Sequence, residues 1–507
     1  MRIAIDLGNP NYQKETERLL HLFFEEDEVS FDAQEDAALL IRVWTEEEAN
    51  SVTARAELHD RRDGRSYTSF FTKVLEPGLS ANLRMKRGKP AVLRALHDLL
   101  EQLTGEHQPW GILFGVRPLK LVHNMREQGR DNAYIRQTLR NEHAISAERI
   151  DLLMEIVDAQ LATMPDLYEI DKEVSIYVGI PFCPTHCAYC TFPAYSMEDK
   201  ATYAPSFLDA LDREFAAIGA FLQEYNIPVT SVYLGGGTPT SLKAPELERV
   251  MKGIYAHIPG SQRWREFTVE AGRPDTITPE RVEVMRRYGV NRISVNPQTF
   301  KAETLKTIGR GHTPDIVDKR FHLVKEAGFE NINMDMILGL PGEDLDDVRH
   351  TRQRIEALNP DSVTVHTMSF KRTAVVNKER DQYTIPHTRV VRQMMAETAE
   401  WARGLGYHPY YVYRQKDILG NLENVGYAQP GKDSIYNIAI MEERQTIIGL
   451  GGGASSKLYR KGEFLSHVYN AKEPKAYVDS VEQVIEKKLN ALREVFAPEE
   501  IKEPRSV

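Results

Sequence analysis

All three cysteines of this 507-residue chain fall in one short stretch, Gly179-Ile-Pro-Phe-Cys183-Pro-Thr-His-Cys187-Ala-Tyr-Cys190-Thr-Phe192. Cysteine thiolates hold the irons of iron–sulfur clusters, and a cubane has four irons. Three cysteines would therefore leave one iron without a protein ligand. An open coordination position is where a bound metal does chemistry. Two other readings compete. One is a structural zinc site that uses His186 or another histidine, although zinc ligands usually come as separated pairs. The other is three inert buried thiols. In a reducing compartment such a cluster of cysteines is a metal or redox site and not a disulfide frame.

The loop must be positioned by its neighbours. Apolar runs suited to parallel strands occur at 174–180, 230–234, 266–271, 290–296, 331–337 and 362–368. Between them lie helical patterns at 206–222, 245–255, 279–288, 314–327 and 343–358. Six strand–helix units in a row imply an α/β fold, a partial (β/α)6 TIM-like barrel over residues 166–375. The cysteine loop follows the first strand, at the end where such folds place active sites. Residues 1–165 read as an α+β domain of unknown role, with strands at 2–7, 38–45, 52–58 and 66–72 and helices at 89–104, 118–128 and 132–164. The segment Trp110-Gly-Ile-Leu-Phe-Gly-Val-Arg-Pro118 reads as a turn of no assigned role. Residues 376–507 break the alternation. They read as a mostly helical C-terminal lobe with a helix near 387–405, a Tyr/Gly/Asn-rich stretch and the glycine run 449–453.

Further polar residues fall at successive strand ends. Leu234-Gly-Gly-Gly-Thr-Pro-Thr240 closes the second strand, and its glycines let a ligand approach backbone. Glu270 ends the third strand and Gln298 follows the fourth. Arg310 lies in Ile308-Gly-Arg-Gly-His-Thr313, and Asp335 sits inside the apolar fifth strand. A carboxylate inside an apolar strand is costly without partners. Taken singly, each has an ordinary structural explanation: a tight turn, a helix cap or an ion pair. Their joint placement at successive strand ends points instead to one ligand site.

The C-x3-C-x2-C spacing resembles the signature of the radical S-adenosylmethionine (SAM) superfamily. The wider set of motifs, over about 170–460, resembles the oxygen-independent coproporphyrinogen III oxidase (coproporphyrinogen dehydrogenase) family, long oxidase-like branch. The resemblance implies a [4Fe–4S] cluster on Cys183, Cys187 and Cys190, with SAM on the fourth iron. One-electron cleavage of the sulfonium then gives methionine and a 5′-deoxyadenosyl radical. Tyr189 matches the aromatic position against cluster and adenine. The first of two SAM molecules would use Tyr177, Gly236, Glu270 and Ser455. The second would use Gly237, Thr238, Gln298, Arg310, Asp335 and Ser369. The implied activity is radical decarboxylation of coproporphyrinogen III propionates to vinyl groups, giving protoporphyrinogen IX. A tetrapyrrole substrate and a flavodoxin- or ferredoxin-type electron donor are the implied partners. Arg273, Arg372 and Arg414 are candidates for binding the propionates, because a guanidinium fork pairs with a carboxylate.

The chain departs from the family pattern in places. The best-studied oxidases carry a fourth cysteine two residues after the third, where Phe192 stands here. The heme-chaperone branch also lacks it, but carries a His-Asn-x-x-Tyr-Trp heme motif. Its counterpart here is Glu423-Asn-Val-Gly-Tyr-Ala428. A heme chaperone, or a radical SAM enzyme acting on heme or another tetrapyrrole, remains the alternative.

Composition is that of an ordinary globular chain: 41% hydrophobic, 27% charged, net charge −10. Mixed acidic and basic residues with that balance disfavour nucleic acid or anionic membrane as partner. No apolar run of about 18 residues could span a membrane. The opening MRIAIDLGNPNYQKE has no charged segment followed by an apolar one, so the expected location is the cytoplasm.

Overall fold

The computed structural model describes residues 1–497 except 25–26, 32–35, 116, 193, 372–373 and 461–462. Arg372 thus lies outside the described residues. The chain forms two compact units, Met1–Met154 with Gly420–Leu422, and Glu155–Leu419 with Glu423–Val507.

In the first unit, strands β1 (Arg2–Leu7), β2 (Glu28–Ser30), β3 (Leu39–Glu48), β4 (Ser51–Asp60) and β5 (Ser66–Val74) form a sheet of order β2-β1-β3-β4-β5. β1 runs parallel to β2 and β3, and β3-β4-β5 is an antiparallel meander. Ile3, Ile5, Leu39, Ile41, Ala54, Ala56 and Leu58 alternate along their strands and bury one face against Leu19, Leu20, Leu96, Leu99 and Leu100 of two helices. The second of those helices spans Ala81–Thr104, eight residues more than the reading of 89–104 at its start. Gly88 and Pro90 look like a start signal, but Ser80 caps the chain earlier and the helix runs through both. The pattern at 132–164 is two helices, Asn132–His143 and Ala147–Thr163. They part at Ala144, which takes a left-handed φ of 55°. The Trp110 turn explains the break. Trp110 is fully buried, Ile112 N–H donates to His143 O at 3.0 Å, and a Cβ on Gly111 would lie 2.2 Å from that same oxygen.

In the second unit, β6 (Val174–Ile180), β7 (Val229–Gly236), β8 (Glu266–Val269), β9 (Arg292–Ser294), β10 (Ile332–Leu338) and β11 (Ser362–Thr367) are all parallel, each paired to the next in chain order. Helices connect them, as the alternation predicts. This is the partial barrel of a TIM-like α/β fold. The first connecting helix starts at Met197, not 206, because a capping box joins Ser196 and Asp199 ahead of Pro205.

The C-terminal part contains the predicted helix at Thr388–Gly404 and a terminal helix at Pro474–Phe496. It also contains five strands that the sequence reading did not foresee: β12 (His408–Tyr413), β13 (Asn424–Ala428), β14 (Thr446–Gly451), β15 (Ser455–Arg460) and β16 (Glu463–Tyr469). All five join the barrel sheet, whose order is β12-β13-β11-β10-β9-β8-β7-β6-β14-β15-β16. β14 adds a seventh parallel strand beside β6, while antiparallel pairs flank both ends.

The strands have a two-residue period with an uncommon inner face. Ser175 meets Ser231 at 2.7 Å, Arg292 donates to Ser362 at 3.1 Å, and Ser362 donates to Asn333 at 3.0 Å. Tyr177, Tyr233, Asp335 and His366 fall on the same parity of their strands and are partly exposed where nearly all of their strand neighbours are buried. The alternate positions, Ile176, Val178, Val232, Leu234, Met334, Met336, Val363 and Val365, are buried hydrophobics. The barrel therefore carries a polar inner face on a hydrophobic shell.

Candidate functional site

The cysteine loop is tied down by backbone at several points. Cys183 N–H donates to Tyr195 O, Cys190 N–H to Cys187 O and Ala188 N–H to Ile308 O, each at 3.0 Å. Thr185 Oγ1 donates to Gly309 O at 2.6 Å. All three cysteines are free thiols. Each sulfur has its own donor or cation. Thr238 Oγ1 lies 3.3 Å from Cys183 Sγ. Arg273 Nη1 and Arg310 Nη1 lie 3.9 and 4.0 Å from Cys187 Sγ. The Phe192 backbone amide and the Lys371 charge act on Cys190.

Burial pushes the Cys183 thiol up to about 11, and pushes Cys190 up as well. Neither thiolate is favoured there without a metal to hold it. A structural zinc site needs four protein ligands. His186, the expected fourth zinc ligand, is exposed. The donor set and its surrounding cations fit an iron–sulfur cluster better than zinc.

Beyond the loop, Gly237 N–H and Thr238 N–H donate to Ile180 O and Phe182 O at 2.7 and 2.9 Å, which seats the glycine turn on the first strand. Gly236 has φ 103°, and a Cβ on Gly235 would lie 3.0 Å from Glu270 Oε2 and 3.1 Å from the Tyr177 ring. Tyr233 donates to Glu270 Oε2 at 3.2 Å and stacks on Tyr436 at 4.5 Å, with Tyr177 beside both. Burial pushes the Glu270 carboxyl up to about 7, and the Asp335 charge adds to that.

Asp335 behaves oppositely. Burial raises it, but His366 and the side chains of Asn333 and Thr364 outweigh that and leave it below its ordinary value. Its oxygens accept from Asn333 Nδ2 at 2.7 Å and Asn296 Nδ2 at 2.8 Å, with His366 Nε2 at 3.5 Å. His366 Nδ1 meets Tyr413 OH at 3.1 Å. Gln298 takes a left-handed φ of 64°, bridges to β10, and leaves its buried Oε1 without a partner. An orphaned buried acceptor on a left-handed backbone is free to accept from a ligand. Arg310 Nη2 is held by Asn296 O at 2.6 Å and Gly272 O at 3.2 Å. Its charge acts on Tyr189, which burial keeps above its ordinary range and hence neutral.

The predicted positions thus converge: Cys183 on Thr238, Cys187 on Arg310, Arg310 on Tyr189, Asp335 on Gln298 and Glu270. Ser455 stands at the start of β15 with an unpartnered buried Oγ, as a ligand contact would. Ser369 is different, because its hydroxyl is already spent on Lys416 O at 3.0 Å. Two of the arginines considered for propionates are inaccessible: Arg273 is 2% and Arg414 3% exposed. Tyr233, Asn296, His366, Tyr413 and Tyr436 pack against these predicted positions, and motif reading missed them. For Tyr233 and His366 a signal existed. Each lies on the inner parity of its strand, in step with Tyr177 or Asp335.

An open parallel barrel with three cysteines after its first strand defines a radical SAM protein, and residues 177–355 match the family model of the radical SAM superfamily. The chain is 43% identical over 498 residues, 98% of its length and 99% of the relative's, to the oxygen-independent coproporphyrinogen-III oxidase-like protein HemZ of Bacillus subtilis. It is 29% identical over 282 residues, 55% of this chain and 70% of the relative, to the heme chaperone HemW of Bacillus subtilis. The solved structure of coproporphyrinogen III oxidase (HemN) from Escherichia coli shares the fold. It gives a TM-score of 0.50 at 23% identity, over 63% of this chain and 71% of that one. The chain belongs to the oxygen-independent coproporphyrinogen-III oxidase-like family of the radical SAM superfamily. That membership implies a [4Fe–4S] cluster and SAM. No described helix is long and apolar enough to cross a membrane.

Proposed function

We propose that this protein decarboxylates two propionates of coproporphyrinogen III to vinyl groups, giving protoporphyrinogen IX, in the cytoplasm and with two SAM molecules bound. When bound, the cluster and SAM supply a carbon-centred radical able to take an unactivated hydrogen atom. Each propionate side chain gives up a β-hydrogen atom. It then loses CO2, and one electron passes to an external one-electron acceptor. A flavodoxin- or ferredoxin-type protein is the proposed reductant.

The observation that carries this reading is the polar inner face of the barrel, ending at the cysteine loop. In the proposed arrangement Cys183, Cys187 and Cys190 hold the cluster. Tyr177, Tyr189, Gly236, Glu270 and Ser455 orient the first SAM. Gly237, Thr238, Gln298, Arg310 and Asp335 orient the second, with Ser369 contributing through backbone. Residues 166–375 serve as the cofactor barrel, and 376–507 as its flanking strands and helices. Seven parallel strands enclose the site and exclude water from a radical step.

Heme carriage is the second reading, favoured by the chaperone relative. Against it, the segment that matches the chaperone motif is committed to structure. Glu423 is 1% exposed, and Asn424 accepts from Thr367 N–H at 2.9 Å and donates to Tyr413 O at 3.2 Å.

The test is anaerobic. The reconstituted protein is given SAM, reductant and coproporphyrinogen III, and CO2 and protoporphyrinogen IX are followed. Both should appear, and Cys187→Ala should abolish them together with 5′-deoxyadenosine. Tight stoichiometric heme binding without turnover would replace this reading with the chaperone one.

A further inference from the structure

The arginine at 273 answers to none of the assigned roles. Its side chain is buried, and all three of its nitrogens are engaged. Nε and Nη2 fork onto Asp275 Oδ1 and Oδ2 at 3.2 and 3.1 Å. Nη1 donates to Thr185 Oγ1 at 2.6 Å and faces Cys187 Sγ at 3.9 Å. Thr185 in turn is bound to Gly309 O. A guanidinium gripped on three sides cannot swing out to a substrate. Holding a rigid cation under a thiolate is what this arrangement does.

The surroundings leave that charge largely intact. Arg310 approaches the same sulfur and is committed to two backbone carbonyls. The neighbouring His312 is fully buried. Burial and the Arg310 charge push it down to about 3, so it carries no charge. Both Asp275 oxygens accept from Arg273, and Oδ1 also lies 4.0 Å from His312 Nδ1. Two fixed cations, Arg273 and Arg310, therefore stand beside Cys187 Sγ.

We propose that Arg273, oriented by Asp275 and Thr185, is a positioning residue that raises the reduction potential of the cluster through Cys187, and so sets how readily the reductant can load it. Hydrogen bonds to cluster sulfurs and net local charge are the levers by which proteins tune such potentials. Reduction adds an electron to the cluster, and a cation a few ångströms away in a low-dielectric site favours the reduced state. The inference rests on the cluster and not on the identity of the tetrapyrrole. An altered potential with normal product, or the reverse, separates the two readings.

The experiment is a redox titration of the reconstituted holoprotein without SAM, followed by the electron paramagnetic resonance signal of the reduced cluster. Arg273→Gln, at full iron and sulfide content, should lower the reduced-to-oxidised ratio at the wild-type midpoint about tenfold, equivalent to 59 mV for one electron. Arg273→Lys keeps the charge but cannot fork onto Asp275. It should restore most of the shift, whereas a purely structural role would leave it as impaired as glutamine. Asp275→Asn removes the counter-charge and should move the midpoint the other way. A wild-type midpoint in Arg273→Gln overturns the proposal. If that variant cannot hold its cluster, an unchanged or lowered midpoint in Asp275→Asn overturns it.

Discussion

Glu270 carries an uncomfortable charge in the barrel. Its carboxyl is pushed up to about 7, first by burial and then by Asp335, and among the described residues only Tyr233 donates to it. In the unfolded chain a glutamate titrates near about 4.3. The folded protein without SAM therefore holds an extra proton between those values. Stability falls as pH rises through that window and levels off above about pH 7. Glu270→Gln removes the titration. Its stability relative to wild type should rise between about pH 5 and pH 8, by on the order of 2 kcal/mol once the partial exposure of the carboxylate is allowed for. Thermal unfolding of the SAM-free protein at the two pH values checks this, and a pH-independent difference would contradict it. The chemistry of this residue was legible in sequence because a carboxylate at a strand end stands out. The burial of Arg273 was not. A guanidinium reads identically whether it faces substrate or is clamped by Asp275 beneath a sulfur, and only the fold decides.

At the scale of elements, the parallel strands were legible because their apolar shell positions recur with connecting helices between them. β12 to β16 were not, because their segments carry no clean period, and β14 and β13 join the sheet through the distant β6 and β11. The glycine run 449–453 explains itself only in the pairing of β14 with β6. A Cβ on Gly451 would lie 2.4 Å from Gly179 O, and one on Gly179 would lie 2.6 Å from Gly452 O. Two strands close to backbone distance directly behind the cysteine loop. Gly451 also has φ 82°. Gly451→Ala should cost about 3 kcal/mol, combining overpacking with a left-handed backbone. Gly431→Ala is the matched control. Its φ is 79° but nothing lies within 4 Å of its Cβ position, so it should cost only about 1 kcal/mol. Urea unfolding of the two variants separates crowding from backbone preference, and equal losses would show that the close approach contributes nothing.

At the scale of the whole second unit, one buried ion pair binds segments nearly three hundred residues apart. Glu214, on the helix Met197–Glu224, is fully buried and accepts from Lys488 Nζ, on the helix Pro474–Phe496. Its oxygens also accept from Tyr477 OH at 2.7 Å, Gly451 N–H at 2.8 Å and Asn470 Nδ2 at 3.1 and 3.2 Å. Lys488 Nζ further donates to Gly449 O. The pair thus clamps Gly449 and Gly451 of the glycine run to the helices Met197–Glu224 and Pro474–Phe496. Burial lowers the Lys488 ammonium below its ordinary range, while Glu214 opposes that shift. Two charges so placed are expensive singly and tolerable only together. Lys488→Met strands a buried carboxylate and should cost about 3–5 kcal/mol. The double variant Glu214→Gln, Lys488→Met removes both charges and should recover a large part of that loss. A double-mutant cycle in urea reads the coupling directly. If the double variant is as unstable as the sum of the singles, the two charges are not coupled and the clamp is only packing. No sequence pattern announces this contact, since a Glu and a Lys on separate helices read as ordinary surface charges until the chain brings them together at the glycine run.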